Sequence, residues 1–348
     1  MAVDIRIAGK SDAKYWDRIV DESPHGTLFH KWQWLKIMEK YSGAKFCPLI
    51  GMKGEEIVGL YPLFVKKKLK MNFVFSPPPH LSVLYLGPII RNYEKMKQSK
   101  KETAFMDFQM GTDDYIKSEF KPHYILILTS PGLLDSRPLR WAGYEVEPKY
   151  NYLLDISGGK EAVWNGMEKK VRYTINKSIR EGVKIETGGI NELKLICKAM
   201  VDRYREQGKV VKVPLEYLIE LHGCFGDNIR VIIAKYMDEF VTGFIDIVYK
   251  KRISSWIGNP KTKLVGINPN DLLNWESMKW GCENGLRYHE TVGAAGVERL
   301  SKYYSKFNPD LSLCYRATKY PSRISRAIEF SYMRVMKPIS ERFESGGG

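Results

Sequence analysis

Residues 301–311 read SKYYSKFNPDL and place two ammonium groups and two phenols on one short helix, closed by Asn308 and Pro309. Leu300, Tyr303, Tyr304 and Phe307 follow the i, i+3, i+4, i+7 spacing of an apolar face. Lys302 and Lys306, four apart, share the other side with Arg299. Either kind of group can donate a hydrogen bond to a charged oxygen, but only the ammonium brings charge at neutral pH. A second set lies in EAVWNGMEKKVRYTINKSIREG, 161–182, which reads as one long basic helix ending at Gly182. Lys169 and Arg172, with the neighbourhood of Asn176, fall on one side of it. Lys170, Lys177 and Arg180 fall elsewhere, and for single lysines a solvated face is the competing reading. An arginine in this position can clamp a phosphate or carboxylate with two parallel bonds. Trp256, Gly258 and Asn259 end a strand just before a loop, and Glu290 sits within a later strand, placed to take a proton or pair with a cation. Lys31 stands beside Trp32 and Trp34 on an early helix, a cation for an anionic group.

Other chemistries find no support. The six histidines and five cysteines are scattered, with no HExxH and no CxxC, so no metal site is expected. There is no GxSxG nucleophile motif. The cysteines fit buried, reduced thiols, no charged-then-apolar leader follows Met1, and YILIL at 124–128 is far too short to span a bilayer, so a cytoplasmic protein without an integral membrane segment is expected. The net charge of +15 favours a polyanionic partner, although excess lysine also serves solubility.

The elements that must position these residues alternate between strand and helix. FHKWQWLKIMEKYSG (29–43) is a helix stopped by Gly43, followed by strands CPLIGMK and IVGLYPLFV around a Gly54–Glu55–Glu56 turn. SPPPH at 76–80 is a rigid loop, HYILIL a strand, and RWAGYEVEPKYNYLLDIS reads as two strands separated by Pro148. Later come strands IRVIIAKY, FVTGFIDIVYKK and ISSWIG, the helix PNDLLNWESMKWGCENG, the strand LRYHETVG and a last strand LSLCYRATKY. MKGEEIVGLYPLFVKKK (52–68) resembles YMDEFVTGFIDIVYKKR (236–252): each has an acidic turn, an interior glycine (Gly59, Gly243) and a basic end. The repeat predicts two α/β domains of one architecture in tandem.

Three ordered blocks resemble the FemABX family: KKVRYTINKSIREGVKIE (169–186), SSWIGNPKTKLVGINPNDLLNWESMKWGCENGLRYHETVGA (254–294) and RLSKYYSKFNPDL, with FHKWQWLKIMEKYSG as a looser match. The resemblance implies an α/β (α+β) chain of two tandem GNAT-like domains, each a mixed sheet flanked by helices. Expected boundaries are 1–156 for the acceptor-side domain, 157–318 for the second, and 319–348 for a basic C-terminal helix and tail, the helix packing back on the first domain. It implies an aminoacyl- or N-acyltransferase that joins an activated donor to an amine acceptor, with aminoacyl-tRNA favoured, tRNA a candidate partner, and no cofactor beyond the donor. The alternatives are an acyl-CoA-dependent N-acyltransferase and a non-catalytic descendant that binds a ligand or RNA. LVGINPNDLL has one glycine, Gly266, where an acyl-CoA enzyme usually has a glycine-rich loop, and Pro269 removes an amide donor.

By this resemblance Tyr304, Lys306 and Glu290 are the catalytic candidates. Lys31, Arg172, Lys177, Trp256, Asn259 and Tyr303 are the binding candidates. The family's aromatic–Lys–x–x–Phe pattern aligns on Tyr303, Tyr304 and Phe307, so a tyrosine stands where the family carries a lysine.

Overall fold

The apolar runs become strands, and the helices between them turn their apolar stripes onto the sheets. The structure is a computed structural model and describes residues 3–68, 70–258, 260–262 and 264–321. In chain order the elements are β1 (Asp4–Ile7), α1 (Ala13–Glu22), α2 (Trp32–Ser42), β2 (Lys45–Lys53), β3 (Glu56–Lys68), β4 (Met71–Ser76), β5 (Ile89–Ile90), α3 (Gln98–Phe120), β6 (Tyr124–Leu128), α4 (Arg137–Trp141) and β7 (Glu145–Asp155). They continue with α5 (Gly159–Gly166), α6 (Lys169–Arg180), β8 (Lys184–Gly188), α7 (Ile190–Arg205), α8 (Leu215–Cys224), β9 (Ile229–Tyr236) and β10 (Glu239–Tyr249). The last are β11 (Arg252–Gly258), α9 (Pro269–Glu283), β12 (Tyr288–Thr291), α10 (Glu298–Tyr304) and β13 (Asp310–Lys319).

Two compact units result, Met1–Lys149 with Leu313–Gly348, and Tyr150–Ser312. In the first, β1, β2, β3 and β4 pair antiparallel in sequence, β4 lies parallel to β6, and β13 runs antiparallel to β6. Tyr61, Leu63, Phe105, Phe108 and Ile127 fill its core. In the second, the order is β7-β12-β11-β10-β9-β8, antiparallel except for β11 against β12. Its core holds Val171, Ile175, Phe244, Leu273 and Phe307.

The internal repeat has a physical basis. In β2–β3 the register slips so that Gly51 faces Gly59 while Met52 faces Ile57, leaving Val58 as the extra residue of a bulge. In β9–β10 the same slip leaves Val241 extra. Each following glycine admits a side chain from the helix above. A Cβ at Gly59 would lie 2.5 Å from the ring of Phe108 on α3, and one at Gly243 would lie 2.9 Å from Ile196 on α7.

Two expectations are corrected. The basic helix is not continuous: α5 ends at Gly166, Met167 is extended (φ −69, ψ 152), and α6 begins at Lys169. Buried Val163, Met167 and Val171 enter one core across this break. Pro148 does not divide two strands, because β7 runs through it, and its missing N–H costs little at an exposed site. The helix expected over 322–342 lies outside the described residues.

Candidate functional site

β11 and β12 pair in parallel from Arg252↔Tyr288 to Ser255↔Thr291, and there β12 ends while β11 runs on to Gly258. On its other edge β11 carries a bulge: Ile257 faces Ile245 and Ser255 faces Asp246, so Trp256 is the extra residue. Gly258 has φ +120, and a Cβ there would lie 2.6 Å from the carbonyl oxygen of Gly243. Only glycine closes the strand so near its neighbour. The chain then passes through a loop tied down at Pro260, whose carbonyl accepts from Thr242 Oγ1 (3.0 Å) and Asn270 Nδ2 (3.2 Å), and enters α9.

Helices α6, α9 and α10 converge at the start of α9 around polar side chains. Asp271, only 1% exposed, accepts through Oδ2 from Thr174 Oγ1 at 2.6 Å. Asn274, fully buried, donates through Nδ2 to the Asn270 carbonyl (2.7 Å) and to the Tyr303 hydroxyl (3.3 Å). Burial, and then the Asp271 carboxylate, push the Tyr303 phenol well above the usual tyrosine range, so it stays protonated. Lys306 places its ammonium 4.6 Å from the centroid of the Tyr303 ring. Tyr304 is buried to 9% exposure, its ring edge-on to Tyr303 and tilted against Phe307. Lys302 pairs with Glu298 at the surface (2.6 Å). Of the candidates, then, Tyr303, Tyr304 and Lys306 come together.

Lys177 on α6 faces the same loop, since a Cβ at Gly266 would lie 3.4 Å from its Nζ. Its ammonium has no hydrogen bond or ion pair among the described residues. Arg172 is occupied: one guanidinium nitrogen donates to the carbonyls of Trp164 (3.2 Å), Asn165 (2.9 Å) and Met167 (3.0 Å), closing the end of α5. Glu290, with no exposure, accepts from Asn151 (3.0 Å), Arg252 (3.2 Å) and Ser254 (3.0 Å). Trp256 is buried at the bulge, and Asn259 lies outside the described residues. Lys31 belongs to the first unit, where it pairs with Asp21 at 2.7 Å.

Sequence reasoning passed over a second buried network. Asp246 at the bulge accepts from Ser277 (2.8 Å) and Ser255 (3.1 Å), with Arg230 at 3.5 Å. Ser255 also meets His289 Nε2 at 3.3 Å. Burial pushes Asp246 up to about 7, opposed by Arg230 and the two hydroxyls, and holds His289 down at about 4. An aspartate inside the apolar run FIDIV is the one sign of it in the sequence. Thr174 could not be paired with Asp271 by reading, as 97 positions separate them.

The profile of the FemAB family matches residues 139–240. The structure is similar to the crystal structure of FemX, with TM-score 0.68 and 11% identity over 90% of this chain and 96% of that one. The chain's fold is that of FemX. Its fold is also similar to L-PGS from Bacillus licheniformis (TM-score 0.53, 14% identity, covering 94% of this chain and 97% of the other). A third likeness is to a tandem GNAT protein from the clavulanic acid biosynthesis pathway (TM-score 0.52, 10% identity, 92% and 99% covered). No curated protein sequence matches the chain. The chain thus has the tandem GNAT-like fold. Among the described residues no helix is long and apolar enough to cross a membrane.

Proposed function

We propose that the protein transfers an aminoacyl or acyl group from an activated donor to an amine, forming an amide, with aminoacyl-tRNA the favoured donor class. The observation that carries this reading is the end of β12 at Thr291 while β11 runs on to Gly258, beside the polar side chains that α6, α9 and α10 bring together. In open α/β sheets ligands bind in the crevice outside the carboxyl ends of the strands. The amine attacks the donor carbonyl, an oxyanion develops, and the leaving oxygen takes up a proton. Oxyanion stabilisation needs a fixed donor. Lys306, held on the Tyr303 ring, supplies the charge that a tyrosine at 304 lacks. Lys177 is left for a phosphate of the donor. Arg172, Glu290 and Lys31 are assigned no step, since each already serves neighbours.

The acyl-CoA reading is weaker on one specific point. A helix start favours anions through its unpaired N–H groups and its dipole. In α9 the first residue is Pro269 and the third is the buried carboxylate of Asp271, which repels a pyrophosphate. Deacylated tRNA is therefore expected to raise the melting temperature at micromolar concentration, and CoA to leave it unchanged. Stabilisation by CoA alone would assign the donor to the thioester class instead.

A further inference from the structure

The cluster at the start of α9 is short of hydrogen-bond donors. Thr174 has one hydroxyl proton, shared between Asp271 Oδ2 at 2.6 Å and the carbonyl of Val171 at 2.8 Å. Both amide protons of Asn274 are engaged, by the Asn270 carbonyl and the Tyr303 hydroxyl. The Tyr303 phenol brings one more proton, engaged with the Asp271 carboxylate. Against these stand Asp271 Oδ1 and Asn274 Oδ1, both buried and without a hydrogen-bond partner among the described residues. No lysine or arginine pairs with Asp271 among the described residues. A buried carboxylate in this state calls for a cation that carries several N–H donors. One carboxylate and an amide oxygen make a poor metal site, and no group of three metal-ligating side chains occurs among the described residues.

We infer that Asp271 and Asn274 form a recognition site for a primary ammonium group, which their two oxygens take by charge-assisted hydrogen bonds. Thr174 fixes the far oxygen of Asp271, and Tyr303 forms an aromatic wall. Thr174 and Tyr303 are only half-buried, so the cluster reaches the surface through these two side chains. This rests on the transfer reading for its source: the ammonium belongs either to the α-amino group of an aminoacyl donor or to the amine acceptor before it loses its proton. The first source makes Asp271 the residue that distinguishes an aminoacyl from a plain acyl donor.

Binding to the full chain by calorimetry tests the site apart from turnover. Puromycin, an aminoacyl-adenosine with a free ammonium, is compared with N-acetylpuromycin for the donor. Nα-acetyllysine amide is compared with its Nε-acetyl derivative for the acceptor. The ammonium member of one pair should bind about tenfold or more tighter than its neutral partner, and Asp271→Asn should erase that preference. Equal binding within both pairs overturns the inference. So does the absence of ammonium binding at millimolar concentration, or a preference that survives in folded Asp271→Asn. Should that variant fail to fold, the comparison within wild type still decides. Ammonium preference without transfer from any donor would leave this site standing and remove the transfer reading; transfer without preference would do the reverse.

Discussion

Single residues divide into those already committed and those left available. Arg172 and Glu290, prominent in the sequence as charges in the right blocks, each satisfy three neighbouring groups. A charge pattern shows that a cation or carboxylate is present, not whether a carbonyl several residues away already holds it. The helical spacing of Tyr303, Tyr304 and Phe307 was readable, and it placed the rings on the buried side correctly. It could not show that the Tyr303 hydroxyl meets Asn274, because that contact depends on how α10 lies on α9. Given this geometry, Lys306→Met should lower transfer by roughly 100-fold while Tyr304→Phe keeps most of it, measured as single-turnover rates; the reverse order would return the catalytic role to Tyr304. Asp246 and His289 give a second prediction. His289 is depressed from 6.5 to about 4, so its contribution is complete above 6.5 and is lost as pH falls toward 4. Asp246 is raised from 3.8 to about 7, so its contribution is complete below 3.8 and is lost as pH rises toward 7. The two slopes oppose each other over nearly one window. Relative to wild type, urea denaturation should show Asp246→Asn gaining stability with rising pH between about 4 and 7, and His289→Gln losing it.

At the level of elements, most strands and helices were legible because hydrophobic periodicity and terminators agree, as where Gly43 ends α2 in the left-handed conformation. The failures came where tertiary packing overrules local pattern. The break between α5 and α6 follows from Met167 entering the core and from the guanidinium that closes α5, neither of which has a local signature. β7 crosses Pro148 because the proline is exposed. The repeat was readable, and its glycines now have a cause in the helix side chains that fill them. Gly59→Ala should therefore destabilise the first unit by about 1–3 kcal/mol, with Phe108→Ala relieving the clash with the ring but leaving the Ile89 carbonyl oxygen at 2.9 Å and opening a cavity. A thermal scan showing Gly59→Ala as stable as wild type would remove the role given to that ring.

On the scale of the whole molecule, tandem α/β architecture was visible from the repeat and from the order of the FemABX-like blocks, while the boundaries inside β7 and β13 were not, since neither composition nor glycine marks them. The net charge of +15 suits a polyanionic donor but does not specify one. The central claim is amide-forming transfer, and its most direct measurement is a mass-resolved incubation of the protein with charged tRNA and with acyl-CoA donors, each across a panel of primary amines. The account predicts an amide product whose mass is the sum of the amine and the free amino acid less water, formed from the tRNA donor and lost in Lys306→Met. A folded protein that yields no amide from either donor class would contradict it.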